Sequence, residues 1–194
     1  DSFTVLSVPS GKVEYTRKAW DQPGVATELY YGFDWIDDRQ IVVAVKDERP
    51  RPPVDPADGE DGEPLQGDPK RGGIELKVVD LSKSPPLERS IAQLDAGESC
   101  VGVSASRDGK RLASSCNGRI TFFDAMTGEA SATDELGYSP SWSPDGAKIA
   151  FVRAGDILVM STADKKITRL TANEFSESRP MFSSDGKRIY FQSQ

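Results

Sequence analysis

The carboxylates most able to bind a cation stand together in one stretch of the sequence. This stretch runs from Lys46 to Gly73 and is rich in proline, glycine and acidic residues. Its five candidate ligands are Asp55, Asp58, Glu60, Asp61 and Glu63. Carboxylate oxygens are the ligands that Ca²⁺ prefers, although these acids lack the D-x-D-x-D-G spacing of an EF-hand loop. Calcium binding is therefore one hypothesis for the stretch.

Other interpretations of this stretch need no metal. Its composition cannot bury enough apolar surface to fold alone, which is typical of a solvated loop. Long loops in compact domains are often functional, and a partner protein could order this one. The segment PRPPVDP within it could also adopt polyproline II geometry and lie in a partner's groove.

Residues for catalysis are harder to find. The chain contains no histidine, so it lacks the commonest general base and cannot form a Ser-His-Asp triad. The glycines of GEDGEPLQGDPKRGG do not stand between a strand and a helix, as a phosphate-binding loop requires. Carboxylate pairs for hydrolysis are possible, but no pair stands out. We therefore expect a protein that is not an enzyme and has no cofactor.

The two cysteines, Cys100 and Cys116, are too few for a structural zinc site but suit one disulfide. They flank the segment CVGVSASRDGKRLASSC, whose Asp-Gly pair indicates a hairpin turn. Facing residues of that hairpin have numbers that sum to about 217, and the cysteines sum to 216. They therefore lie opposite or nearly opposite, where a bridge is feasible. A disulfide indicates an oxidising compartment; two buried free thiols are the alternative.

Composition sets the broad class. The 194 residues suit one domain, and 37% apolar and 28% charged residues are ordinary for a globular protein. No apolar run is long enough to span a membrane as a helix. A formal net charge of −7 argues against a nucleic-acid partner. The chain begins with Asp1, so a signal or anchor could have preceded it.

One phrase recurs along the chain and predicts the elements that position these residues. It contains Gly109 in SASRDGKRLAS, Gly146 in SWSPDGAKIAF and Gly186 in MFSSDGKRIYF, at spacings of 37 and 40 residues. A degenerate copy is FDWIDDRQIVVAV, in which Trp35 takes the place of Trp142. Each copy has two β-rich runs around an Asp-Gly-type turn, which indicates a hairpin. In this pattern Trp142 and Phe182 are predicted to pack one repeat on the next.

A second hairpin pattern follows each of the first three copies. Four short strands in about 40 residues is the period of a β-propeller blade. No segment has a sustained helical period of apolar residues, so we predict an all-β propeller of four-stranded antiparallel blades. The chain holds about four blade equivalents.

The ends of the chain suggest how the blades are completed. The predicted division is residues 1–28 as outer strands of a composite blade, 29–95 as a blade with the insertion 46–73, 96–136 and 137–173 as two further blades, and 174–194 as the inner strands of the composite blade. This arrangement would close a small ring. An arc of a larger propeller is the alternative.

The phrase SPSWSPDGAKIAF, followed by DILVMSTADKKITRLT, closely resembles the repeat of the TolB-like, WD-type propellers. The same repeat occurs in the propeller of prolyl oligopeptidase-type enzymes. The resemblance is good over residues 100–194. It implies blade architecture, and for TolB-like proteins it implies a periplasmic protein that docks onto a membrane-associated partner. The oligopeptidase resemblance covers only the gating propeller.

Blade topology indicates a binding face. In an up-and-down blade, links between strands two and three and links between blades share one edge of the sheets. The insertion and the links KAWDQPGVATE, LGYSP and TANEFSESRP therefore lie together. They contribute Trp20, Tyr138, Phe175 and Arg179, residue types that form interface hot spots. Alternatively, each ring packs over its own blade.

These observations together favour a non-enzymatic propeller that serves as a protein-interaction scaffold or accessory subunit. We expect it in the periplasm or another extracytoplasmic compartment, docked onto a protein or a membrane-associated complex. Two alternatives stay open. One is a propeller that binds a small ligand or calcium, and the other is the gating propeller of a larger hydrolase.

Overall fold

The computed structural model describes residues 2–6, 13–18, 29–46, 73–95 and 98–194. Among these residues there are β-strands and no helices. The strands are β1 Ser2–Leu6, β2 Val13–Lys18, β3 Leu29–Trp35, β4 Gln40–Lys46, β5 Ile74–Asp80, β6 Leu87–Gln93, β7 Cys100–Ala105, β8 Arg111–Cys116, β9 Arg119–Asp124, β10 Ala130–Leu136, β11 Tyr138–Trp142, β12 Lys148–Arg153, β13 Asp156–Ser161, β14 Ile167–Arg169, β15 Glu177–Phe182 and β16 Ile189–Ser193.

Three four-stranded antiparallel sheets form the body of the fold. They contain β3–β6, β7–β10 and β11–β14, with neighbouring strands hydrogen-bonded in chain order. This is the up-and-down blade, so the predicted all-β propeller architecture is confirmed. β1 with β2, and β15 with β16, form two separate two-stranded sheets. The assignment of these pairs to one composite blade, and the other blade boundaries, stay predictions.

The Asp-Gly turns are built by one local hydrogen-bond pattern. In each, a serine hydroxyl donates to the aspartate Oδ1 two residues later at 2.6 Å: Ser106 to Asp108, Ser143 to Asp145 and Ser183 to Asp185. The same Oδ1 accepts the N–H two residues further on. The glycine that follows has a φ near 70° in all three turns (68°, 67° and 70°), which favours glycine over side chains with a Cβ. The phrase is thus a turn motif.

The innermost strand of each sheet carries a β-bulge at the same place in the repeat. The pairing shifts register between Tyr30 and Gly32, Val101 and Ser104, Tyr138 and Ser141, and Ser178 and Met181. Neighbouring inner strands approach closely there, because a Cβ at Gly32 would lie 2.8 Å from the nitrogen of Val103. The bulge therefore lies where the first two blades come into close contact.

The apolar core lies between blades. One buried cluster joins the sheet β3–β6 to β7–β10, and a second joins β7–β10 to β11–β14. In the second, Trp142 is buried, its ring lies 5.5 Å from that of Phe122, and the guanidinium of Arg111 lies 4.4 Å from its ring centre. Phe182 is half-buried, and Trp35 is 47% exposed.

Cys100 and Cys116 lie opposite each other on β7 and β8 and are joined by a disulfide. Both are buried in the first cluster. The pairs next to the cysteines have numbers that sum to 216, whereas pairs beyond the bulge, such as Ser104 with Ala113, sum to 217. The bulge is therefore the reason that the two estimates from the sequence differ by one.

Candidate binding face

We call the edge of the sheets at which the inter-blade links meet the strand-two-to-three turns the link face. Its geometry repeats between blades. The N–H of Gly137 donates to the carbonyl of Gly118 at 2.9 Å, and the N–H of Glu177 donates to the carbonyl of Gly155 at 2.7 Å. Each link is thus hydrogen-bonded to the turn of the blade before it.

Two-residue turns restrict the backbone at this face. In the turns after β8 and β12, both central residues have positive φ: 51° and 74° at Asn117 and Gly118, and 51° and 84° at Ala154 and Gly155. Positive φ at both positions is the requirement of a two-residue type I′ hairpin turn. Such turns hold the adjacent links in place.

The insertion leaves the first blade at the same edge. Lys46, the last residue of β4, pairs with Ile74, the first residue of β5. The link after β6 is held there too, because the N–H of Leu94 donates to the carbonyl of Ile74 at 2.8 Å. The two ends of the insertion therefore lie on the link face.

Large apolar side chains are exposed on this face. Tyr138 is 54% exposed, Phe175 is 61% exposed, and Leu136 beside Tyr138 is 54% exposed. A Cβ on Gly118 would lie 3.4 Å from the Tyr138 hydroxyl, so the tyrosine extends over the neighbouring turn. Arg179 is exposed and has a φ of 52°. Three of the residues predicted from the sequence are thus exposed: Tyr138 on β11, Phe175 on the link before β15, and Arg179 on β15.

The other predicted contact residues cannot be placed. Trp20 and the acids of the insertion lie outside the described residues: Asp55, Asp58, Glu60, Asp61 and Glu63. Within the described part of the chain, no three acidic or cysteine side chains come close enough to hold a metal ion. In that part there is also no helix long and apolar enough to cross a membrane.

A polar cluster lies where the link from β14 to β15 packs against the start of β13. Thr171 Oγ1 donates to Glu177 Oε2 at 2.9 Å and accepts the N–H of Ile157 at 2.8 Å. Beside them, Arg169 donates to Asp156 Oδ2 at 2.5 Å, and its Nε donates to the carbonyl of Thr171 at 2.8 Å. These contacts tie both ends of the link that carries Phe175 to β13.

Sequence reasoning missed this cluster. Glu177 is 1% exposed, and its Oε1 has no hydrogen-bond partner among the described residues. Aligned on the turn motif, Glu177 stands where the other blades have Gly137 and Cys100, which are both buried. The sequence did contain a signal: Glu177 is an acid at a repeat position where the other blades have a small residue.

One ion pair lies beside the exposed apolar side chains of the link face. Arg153 donates to Glu135 Oε2 at 2.9 Å between the third blade and the second. Exposed ion pairs of this kind contribute little stability, but they leave polar groups around the apolar side chains. An apolar centre with a polar rim is the composition of a protein-binding surface.

A titratable group with a raised pKa lies elsewhere. Burial raises the pKa of Asp34, near the far end of β3, while hydrogen bonds from Ala105, Trp35 and Ser104 oppose the rise. Its Oδ2 accepts the N–H of Ala105 at 2.8 Å, and its Oδ1 accepts the N–H of Trp35 at 2.8 Å. Asp34 therefore ties the first blade to the second.

Comparison with known proteins places the fold. No family model and no curated protein matches the chain. TolB from Acinetobacter baumannii superposes with a TM-score of 0.60 at 21% identity, over 84% of this chain and 37% of that one. A protein assigned as TolB from Agrobacterium tumefaciens gives 0.60 at 23% identity, over 93% and 58% of the two chains. A chain of the mitotic checkpoint complex gives 0.51 at 17%, over 77% and 40%.

These likenesses establish the architecture. The chain has the fold of TolB-like, WD-type β-propellers, with about four blade equivalents. It spans between 37 and 58% of the length of the solved structures it matches.

Proposed function

We propose that this chain is a non-enzymatic propeller that docks onto another protein through its link face. It would act as a scaffold or accessory subunit of an extracytoplasmic, membrane-associated assembly. The observation that carries the proposal is the exposure of Tyr138 and Phe175 on links that are hydrogen-bonded to rigid turns. Aromatic side chains held in this way lose little conformational entropy when they bind, and they are frequent hot spots.

Two further observations support the compartment and the kind of partner. The disulfide between Cys100 and Cys116 is suited to an oxidising compartment. The acids of the insertion, whose ends lie on the link face, would steer a partner that carries basic residues. The lack of histidine removes the commonest general base, which favours binding over catalysis.

The proposal is tested first on the native protein, isolated from its source under mild extraction. We expect it to elute within a larger complex and the insertion to be protected from proteases there. Elution at the mass of a single chain, with no bound protein, would exclude the subunit role. A calcium-dependent rise in stability without a protein partner would instead favour the cation-binding alternative.

Substitutions then locate the contact surface. Replacing both Tyr138 and Phe175 with alanine should weaken partner binding by about a hundredfold, because two hot spots contribute about 1–2 kcal/mol each. The matched control is Met126→Ala, which removes a side chain that is 82% exposed at the opposite edge of the sheets. Loss of binding in the Met126 variant, or unchanged binding in the double variant, would place the partner elsewhere.

A further inference from the structure

The first two blades form a groove between them at the edge of the sheets opposite the link face. Its volume is about 420 Å³, which is within the usual range of small-molecule sites. Residues of both blades line it, among them Val78 and Arg89 of the first blade and Lys110, Ala125 and Met126 of the second. Both blades are complete four-stranded sheets. The groove therefore lies between finished blades and does not depend on either end of the chain.

The next blade interface shows which side chains fill the equivalent space. There the rings of Phe122 and Trp142 lie 5.5 Å apart, and the guanidinium of Arg111 lies 4.4 Å from the centre of the Trp142 ring. Strand register and distance from the Asp-Gly turn identify the equivalent residues at the first interface, which are Val78, Ala105 and Gln40. All three are smaller. The first interface therefore has room for an aromatic ring that the second does not have.

The floor of the groove is apolar. Ile36, Val78 and Ala125 line it, and all three are buried. Met126 also lines it, with a side chain that is 82% exposed, at a turn position where the next blade has Ala163. A methionine side chain is flexible, and its sulfur makes favourable contacts with aromatic rings. These walls suit a flat apolar ring.

Two cations line the same groove. Arg89 crosses it, because its Nη1 donates to the carbonyl of Met126 at 3.1 Å and its Nη2 donates to the carbonyl of Ala125 at 2.9 Å. These bonds fix the guanidinium but leave its charge, since carbonyl groups are neutral. The second cation is Lys110, and the acid of the lining is Asp124, whose Oδ1 accepts N–H groups of its own turn. In a chain of net charge −7, the groove has a local excess of positive charge.

From these observations we infer that the groove binds a small aromatic carboxylate. The ring would lie on Val78 and Ala125 with the guanidinium of Arg89 over it, and the carboxylate would meet Lys110. A cation over an aromatic ring is a favourable contact, and Arg111 on Trp142 is an example at the next interface. The site is at the opposite edge of the sheets from the link face, so it is a second binding function and does not rest on the docking role.

The test uses the full chain with ¹³C-labelled methionine methyl groups and indole-3-acetate as the probe. The chain has three methionines. Met126 lines the groove, whereas Met160, which is buried, and Met181, which is 60% exposed, lie outside it. We expect saturable binding with a Kd of about 1 mM or below. The ring current of the bound probe should shift the Met126 methyl resonance and leave the other two in place.

Two related probes test the chemistry of the ligand. Tryptamine has the same ring with an ammonium group instead of the carboxylate, and it should bind at least about tenfold more weakly beside Arg89 and Lys110. Cyclohexylacetate keeps the carboxylate without the aromatic ring, and it should bind about threefold or more weakly because the cation–π contact is lost. Binding of either probe as tightly as indole-3-acetate would overturn the inference.

Substitutions that copy the next blade locate the site. Lys110→Ala copies Ala147 of the equivalent turn and should weaken binding of indole-3-acetate by about tenfold. The matched control is Lys83→Ala, which removes the same charge from an exposed position of the first blade outside the groove and should leave binding unchanged.

Val78→Phe copies Phe122 and should abolish binding by filling the groove, with urea denaturation to show that the variant is folded. If it does not fold, Lys110→Ala still decides the test. No saturable binding, a shift of Met160 or Met181 instead of Met126, or unchanged binding by the Lys110 variant would show that the groove is not the site.

Discussion

A single serine hydroxyl closes each Asp-Gly turn of this protein. Ser143 Oγ donates to Asp145 and accepts the N–H of Lys148 at 2.9 Å. The Ser143 hydroxyl is the largest cause that lowers the pKa of Asp145, followed by the N–H of Ala147. Serine and aspartate therefore act as one unit, which explains why they recur together.

Replacing Ser143 with alanine should lower the free energy of unfolding by about 1–3 kcal/mol, because Ser143 is buried and the N–H of Lys148 loses a partner. Urea denaturation followed by circular dichroism measures this. Ser183→Ala is the matched control, since the same contacts there are exposed to water. We expect a smaller loss in that variant; equal losses would mean that burial of the turn does not matter.

The same variant predicts a pH effect of defined sign. Because the pKa of Asp145 is lowered in the folded state, its stabilising contribution is full above about pH 4 and is lost as the pH falls through the folded value. The stability difference between wild type and Ser143→Ala should therefore shrink on acidification from neutral pH. A difference that stays constant down to the acid transition would contradict this assignment.

At the residue scale, the sequence predicts contacts within one hairpin better than contacts between residues of different elements. The opposed cysteines and the turn aspartates follow from spacing, since both depend on contacts within a single hairpin. Glu177 does not, because its burial depends on Thr171 and on the edge of β13. Tertiary neighbours of this kind are not encoded in local spacing.

At the scale of elements, one aromatic position connects neighbouring blades. Trp142→Ala should cost about 3–5 kcal/mol of unfolding free energy, because a large buried ring is removed from between two sheets. Trp35 holds the same position in the repeat but is 47% exposed, so Trp35→Ala should cost much less. Urea denaturation followed by far-UV circular dichroism compares the two. A similar cost would show that Trp35 is covered in solution.

The disulfide across the hairpin β7–β8 is also testable. Replacing Cys100 and Cys116 with alanine removes a bridge across a separation of 16 residues, and should lower the unfolding free energy by about 2–4 kcal/mol. Reduction of the wild-type protein should give the same shift. If unreduced, unfolded protein reacts with two equivalents of a thiol reagent, the bridge is not present.

The register of this hairpin shows the limit of prediction for an element. Counting from the Asp-Gly turn gives the correct partners near the turn, but the bulge between Val101 and Ser104 shifts the pairs beyond it by one. Gly102, within this bulge, lies next to β11 of the following blade, since a Cβ there would be 3.5 Å from the Ser139 Cα. The hairpin sequence does not show where a bulge lies, so the register beyond it could not be counted from the turn.

At the scale of the whole molecule, stability should fall along the chain toward its end. The central strand β12 pairs on both sides and holds Ile149, Ala150 and Phe151 fully buried, whereas the residues of β16 are largely exposed. We expect amide hydrogen exchange to be at least about tenfold slower in β12 than in β16. Equal protection would show that another element covers β16 in the free protein.

The overall architecture could be predicted because the sequence repeats the same strand and turn pattern. The period of about 40 residues and the alternating strands recur, so weak local signals reinforce one another. The two two-stranded sheets, β1 with β2 and β15 with β16, are different. Their assignment to one composite blade depends on pairing between the two ends of the chain, and it stays a prediction. The face that carries Tyr138 and Phe175 could be nominated from topology alone, but their exposure could not.

The pairing of Lys46 with Ile74 has a practical consequence for engineering. The ladder of the first blade is complete although residues 47–73 separate its second and third strands. The equivalent positions in the next two blades are closed by the two-residue turns Asn117–Gly118 and Ala154–Gly155. These turns are therefore graft sites at which foreign peptides could be inserted at the same edge of the sheets as Lys46 and Ile74, the strand ends that flank the natural insertion.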